Sequence, residues 1–199
     1  MDYIVLDVET TGVYNNSDVI QVAGLMLLED GLSMFNRYCN TDQKISQGAY
    51  EVHGLSRKNL VNLSGGKYFE DVVQELKDVF SRDLYVIGHG VNFDIRMMNN
   101  NLNKHGFPEL NVAKKYCTMK KANQELKKVG MRGNISLEKM LDYVLSSNGM
   151  ELEEFDRIAI EHIHELTGEE IIGGQHDAAY DVYATYICFV YLELGEFLC

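Results

Sequence analysis

The spacing of hydrophobic positions changes along the chain, from strand-like near the start to helix-like later. Residues 2–9 carry the unbroken run Tyr3-Ile4-Val5-Leu6 and end in Asp7 and Glu9. This predicts a buried strand that presents two acids on one side of a sheet, because residues i and i+2 of a strand share a face. Residues 18–29 and 32–40 predict two more strands, and Glu29-Asp30-Gly31 between them signals a hairpin turn, so the start of the chain reads as an antiparallel meander. Phe69, Val72, Val73, Leu76, Val79 and Phe80 then recur at helical spacing, followed by a fourth strand at 84–89 and a helix from about 92 to 104.

The second half continues the alternation. A short apolar segment around Tyr116-Cys117 predicts a fifth strand, ahead of a lysine-rich helix near 119–128. Ser136 is a good N-cap for a helix striped by Leu137, Met140, Leu141, Val144 and Leu145, which ends before Asn148-Gly149. Leu152, Phe155, Ala159, Ile163 and Leu166 predict a helix over 151–166. Gly173 and Gly174 then break the chain before a last helix over 177–193, apolar on most faces and so expected to pack on the sheet. Strands first and α/β units afterwards predict one mixed sheet flanked by helices.

At 199 residues with 46% hydrophobic content, the chain suits one domain over 1–199 with ample material for a core. Cys39, Cys117, Cys188 and Cys199 show no CxxC spacing, which predicts a reducing compartment. No apolar stretch approaches the ~20 residues of a membrane span, and the start Met1-Asp2-Tyr3 lacks the basic region of a signal peptide. The expectation is a soluble, cytoplasmic protein that does not bind membranes.

A net charge of −12 argues at first against a nucleic-acid partner. Its distribution changes that reading: residues 1–136 hold 16 basic and 16 acidic side chains, whereas residues 137–199 hold 2 and 14. Within the neutral part, Lys114, Lys115, Lys120, Lys121, Lys127, Lys128 and Arg132 face one acid, Glu125. This is either a phosphate-binding stripe, with Lys120 and Lys121 its candidate contacts, or a lysine-rich solvated face.

The candidate chemistry lies in acids that emerge from apolar elements: Asp7 and Glu9 at a strand end, Asp94 after Leu84-Tyr85-Val86-Ile87 and a glycine-flanked turn, and Asp181 at the start of a nearly chargeless helix. Converging carboxylates repel, and burying one without a counter-charge costs several kcal/mol, so a divalent cation is the economical explanation. Asp177 competes with Asp181, because the two share a helix face at i, i+4. His89 suits a structural hydrogen bond near its turn. His162 and His164 point to different helix faces, which argues against a zinc site, and Met97-Met98 reads as core.

Taken together, DVETTG at 7–12, HGLS at 53–56, GHGVNFD at 88–94 and HDAAYD at 176–181 resemble the DnaQ-like 3′–5′ exonucleases of the DEDD superfamily, in the branch with a catalytic histidine. The resemblance implies an α/β, ribonuclease H-like fold with a mixed five-stranded sheet, two Mg²⁺ or Mn²⁺ ions, and release of nucleoside 5′-monophosphates from a 3′ end. It implies that Asp7, Glu9 and Asp181 hold one ion, that Asp7 bridges to the second, that Asp94 supports the second, and that His176 is the general base. Thr10, Thr11 and Gly12 match the loop that approaches the terminal sugar, and His53 matches a loop near the last nucleotide. The expected substrate is single-stranded DNA, in proofreading beside a DNA polymerase or in end trimming. The alternatives are a 3′–5′ RNA exonuclease and a catalytically silent polymerase-docking module. Two departures from the family pattern stand out: Gly90 directly follows His89 where many relatives have asparagine, with Asn92 two places on, and residues of about 150–175 read as an acidic helical insertion.

Overall fold

A computed structural model describes residues 1–169, 171, 176–195 and 197. The strands β1 (Asp2–Thr10), β2 (Val19–Leu28), β3 (Gly31–Tyr38), β4 (Leu84–Gly88) and β5 (Val112–Cys117) form one mixed sheet in the order β3-β2-β1-β4-β5. The first three make the antiparallel meander, while β4 and β5 run parallel to β1. β1 is therefore central. Its alternation decides which side of the sheet each residue serves: Ile4, Leu6 and Val8 enter one apolar layer, and Val5 enters the other.

The first layer is closed by α3 (Phe69–Glu75), α4 (Lys77–Phe80) and α5 (Asn92–Lys104). The opposite layer is closed by α6 (Thr118–Leu126), α7 (Leu137–Ser147), α8 (Leu152–Thr167) and α9 (Ala178–Leu194). The acidic α8 buries Phe155, Ala159 and Ile163 in the same cluster as α9, so the apolar stripe of this segment packs into the core, while Glu153, Glu154, Glu161 and Glu165 are exposed and Asp156 accepts from the buried Tyr180 hydroxyl. α9 has buried residues on nearly every side, as its composition predicts. Gly173, Gly174 and Cys199 lie outside the described residues. Among the described residues, no helix is long and apolar enough to cross a membrane.

The structure differs from the sequence expectation in three respects. The pattern over 69–80 is split at Leu76, whose backbone (φ −98°, ψ 11°) ends α3 and begins α4. The fifth strand begins at Val112, four residues before Tyr116, and its Lys114 and Lys115 are exposed on the sheet edge, where charged side chains are tolerated and discourage further pairing. The helices α1 (Gln47–His53) and α2 (Arg57–Leu63) carry almost no apolar stripe. Caps hold them instead. Ser46 accepts the N–H of Ala49, Gly54 ends α1 at φ 68°, and Ser56 and Asn59 form a reciprocal capping box on α2.

The β1–β2 ladder depends on close approach at Gly24, opposite Leu6. A Cβ there would lie 2.4 Å from Phe35 Cζ and 3.1 Å from Ile4 Cδ1. Gly24→Ala should therefore force Phe35 off its rotamer and destabilise the fold by about 1–3 kcal/mol. Urea unfolding checks this, and a variant as stable as wild type would show that the sheet yields freely at this point.

Candidate active site

The site forms where β1 outruns its neighbour. Pairing with β4 ends at Val5 opposite Ile87, so the last turns of β1 extend past β4 toward the N-termini of α5 and α9. A bulge between Glu9 and Thr10 then ends the β1–β2 register. Asp7 and Glu9 share the side of Val5, toward α9, as their i, i+2 spacing requires. Asp94 lies in the first turn of α5 and Asp181 in the first turn of α9, where the helix dipole favours negative charge.

Carboxylate oxygens of Asp7, Glu9 and Asp181 all lie within 4.8 Å of one another. Asp94, only 4% exposed, adds its field to theirs. Burial pushes the Asp7 carboxyl well above the ordinary carboxylate range, and Asp94, Asp181 and Glu9 push it further. Glu9 is raised to about 9 by burial and by the charges of Asp181 and Asp177. Asp94 is raised to about 8, chiefly by burial, although its own N–H and that of Val8 favour its charged form. Asp181 is raised to about 7 by burial and by Asp177, against the N–H of His176. Among the described residues, no Lys, Arg or His forms an ion pair with any of the four. Such a group must hold protons or accept a cation. An all-oxygen, half-buried donor set fits a hard divalent ion such as Mg²⁺ or Mn²⁺.

Asp177 has different work. Its side chain accepts the N–H of Ala179 (3.0 Å) as the N-cap of α9, and also accepts from Gln21 Nε2 (3.1 Å) and Tyr38 Oη (2.9 Å). With these donors beneath the helix end, Asp177 is a structural acceptor, and Asp181 is the acid that joins the cluster. His176 is exposed at the mouth of the site with φ 68°, a left-handed backbone that His adopts more readily than most residues, and its N–H donates to Asp181 Oδ1 at 3.4 Å. His53 turns inward from α1: Nδ1 accepts the N–H of Leu55 (3.0 Å), leaving Nε2 to donate to the carbonyl of Thr10 (3.2 Å). Burial lowers its pKa against the bond to the Thr10 carbonyl, and His176 lowers it further.

Thr10, Thr11 and Gly12 are buried, and the threonine hydroxyls shape their own loop. Thr10 Oγ1 donates to the carbonyl of Gly12 (2.6 Å), while Thr11 Oγ1 bonds Gln43 and accepts the N–H of Asp18 (2.9 Å). Gly90 has φ 106°, a conformation that asparagine would strain to adopt, which accounts for glycine after His89. Asn92 faces away, accepting from Lys115 Nζ at 2.7 Å. His89 bridges Thr118 Oγ1 (2.9 Å) and the carbonyl of Ile135 (3.1 Å), the structural role its position suggested.

The lysine stripe is less positive in space than in sequence. Lys121 sits between Glu125 (3.9 Å) and Glu193 (3.8 Å), and Lys128 pairs with Glu125 at 2.5 Å. Glu193 lies twelve residues along α9 from Asp181, about 18 Å at 1.5 Å per residue. Lys121 thus points along α9 away from the acids, and Lys120 is exposed on the same short helix. The missed participant is Gln21, fully buried across from Glu9. A glutamine inside the apolar run of β2 was its only sequence signal.

A family model described as Exonuclease, RNase_T, matches residues 4–189. The chain is 32% identical over 112 residues to the PolC-type DNA polymerase III of Streptococcus pneumoniae strain D39, and 30% identical over 110 residues to that of Streptococcus pyogenes serotype M1. Each match covers 54% of this chain and 7% of the polymerase. Solved structures with the same fold include Exonuclease X in complex with 5′ overhanging duplex DNA (TM-score 0.56, 14% identity, 98% of this chain and 93% of that one). The zinc-bound E. coli ExoI–ssDNA complex aligns with TM-score 0.66 and 17% identity over 98% of this chain and 41% of its own. Cell-death related nuclease 4 aligns with TM-score 0.63 and 15% identity over 98% and 63%.

The electrostatics predict an inverted pH dependence of stability without metal. Glu9, Asp94 and Asp181 keep protons in the folded protein up to pH about 7–9 but lose them near 4 when unfolded, so the folded state binds more protons between those limits. Stability in EDTA should fall as pH rises from 5 to 9, and Mg²⁺ should restore it most at the alkaline end. Asp7→Ala should melt no lower than wild type in EDTA at pH 8. Melting curves across pH check both, and a metal-free melting temperature that rises steadily toward pH 9 would contradict the crowding of these acids.

Proposed function

The chain belongs to the RNase_T exonuclease family and is a DnaQ-like 3′–5′ exonuclease of the DEDD superfamily with the ribonuclease H-like fold; from that premise we propose that it removes nucleoside 5′-monophosphates from the 3′ ends of single-stranded DNA. The observation that carries this reading is the convergence of Asp7, Glu9 and Asp181 within 4.8 Å, with the buried Asp94 adding its charge. Asp7, Glu9 and Asp181 would hold one ion, Asp7 would reach the second, and Asp94 would support that second ion. Bound divalent cations supply positive charge that stabilises the entering and leaving oxygens of an in-line phosphodiester displacement.

The remaining work falls to the protein. His176, exposed at the mouth and tethered through its backbone to Asp181, takes the proton from the attacking water. The Thr10–Gly12 loop shapes the pocket for the terminal sugar, and His53, hydrogen-bonded to that loop, contacts the last nucleotide. Lys120 contacts phosphates upstream of the 3′ end, with Lys121 contributing only when released from its two glutamates. DNA is favoured as substrate because the solved structures of similar fold include complexes with duplex and single-stranded DNA. The polymerase relatives favour a proofreading role beside a DNA polymerase, with the chain forming one domain over 1–199.

Digestion of 5′-labelled DNA and RNA oligonucleotides side by side, with Mg²⁺, Mn²⁺ or EDTA, tests the reading. Single-stranded DNA should shorten stepwise from its 3′ end in either metal, and not in EDTA or with Asp7→Ala. Preferential shortening of RNA would move the substrate to the other sugar, and absence of metal-dependent cleavage on any strand would leave a binding module. In single-turnover assays, His176→Ala should slow cleavage by about 10²–10⁴-fold with little change in substrate affinity. An unchanged rate would make His176 structural.

A further inference from the structure

Gln21 is fully buried on the side of β2 that faces α9, directly across the ladder from Glu9. Its Nε2 donates to Asn36 Oδ1 (3.0 Å) and Asp177 Oδ1 (3.1 Å), and its Oε1 accepts the N–H of Ala178 (3.3 Å). One amide therefore joins the strand beside Glu9 to the first turn of the helix that carries Asp181. The connection is polar and lies among apolar side chains, where each lost partner leaves a buried group unpaired at a cost of about 1–3 kcal/mol.

We propose that Gln21 is a positioning residue that fixes the separation of Glu9 and Asp181 by anchoring the N-cap of α9. The proposal rests on the reading of Asp7, Glu9 and Asp181 as a cation-binding set. Glutamine suits the position because it must donate to Asp177 while accepting from the helix end. Glutamate there would turn an oxygen toward the Asp177 carboxylate and toward Asn36 Oδ1. Asparagine at 177 would remove the repulsion between two carboxylates, since its Oδ1 still accepts the N–H of Ala179 as the cap while its amide carries no charge to oppose the carboxylate introduced at position 21. Asn36 can follow by turning its amide over, because its Nδ2 is buried without a hydrogen-bond partner.

The test is a cycle of Gln21→Glu, Asp177→Asn and the double variant, with the Mn²⁺ dissociation constant measured calorimetrically on substrate-free protein and the melting temperature measured in EDTA. Gln21→Glu should weaken Mn²⁺ binding by about tenfold or more, the scale of losses when support behind metal ligands is removed. Asp177→Asn should change it by less than about threefold, and the double variant should return to within about threefold of wild type, because contacting groups couple. A folded Gln21→Glu protein with wild-type Mn²⁺ affinity overturns the proposal, as does a loss confined to melting temperature. If Gln21→Glu fails to fold, the double variant decides: folding with near wild-type affinity supports the pairing, and failure to fold or to bind Mn²⁺ overturns it. Asp7→Ala serves as the control. Wild-type protein that binds no Mn²⁺, or binds it no better than Asp7→Ala, overturns the cation reading and this inference with it.

Discussion

Repulsion among Asp7, Glu9, Asp94 and Asp181, half-buried or buried at one end of β1, is the force that the surrounding architecture withstands. Burial strengthens it, since water that would screen the charges is displaced. Several features oppose it. α5 and α9 direct their N-terminal ends toward the cluster, placing Asp94 and Asp181 in first turns where the backbone dipoles favour negative charge. Backbone N–H groups of Val8 and His176 favour the charged forms of Asp94 and Asp181. The sheet itself keeps Asp7 and Glu9 on one side, because a one-residue slip of β1 would move both to the opposite layer.

Stability and function pull in different directions at this point. The apolar layers on both sides of the sheet hold β1, α5 and α9 in place, whereas the acids at their junction weaken the fold wherever they ionise without a counter-charge. A protein built only for stability would put apolar or paired groups there. A site that must attract divalent cations gains from preorganised unpaired charge, and the cost is met by packing elsewhere. The acidic last third of the chain is a separate matter. Its helix α8 has its apolar stripe in the core and most of its acids on the outside, and with five acids against Arg157 it carries about a third of the net charge of −12.

Much of this was legible because it depends on local pattern. The side shared by Asp7 and Glu9 follows from strand alternation, the bounds of α5 and α7 follow from apolar spacing and a serine cap, and the hairpin between β2 and β3 follows from its turn residues. The helices α1 and α2 were not legible by that route, because hydrogen-bonded caps hold them instead of apolar stripes. Their signals, Ser46, Gly54 and the Ser56–Asn59 box, are visible only when caps are sought first. Contacts distant in sequence were also hidden. Nothing local distinguishes Asp177 from Asp181 until the donors from Gln21 and Tyr38 are seen, and the second acid facing Lys121, Glu193, comes from the end of a different helix.

If the acids are held protonated until a cation replaces their protons, cation binding must release protons. Calorimetric titration of the wild-type protein with Mn²⁺ at pH 7, repeated in buffers of different ionisation enthalpy, measures that release directly. With Glu9 and Asp94 raised to about 9 and 8, the account predicts net release of one proton or more per protein on saturation, decreasing as pH approaches 9. Mn²⁺ binding with the same enthalpy in every buffer would contradict it, because the carboxylates would then already be ionised at pH 7 and their burial and crowding would be too weak to hold protons.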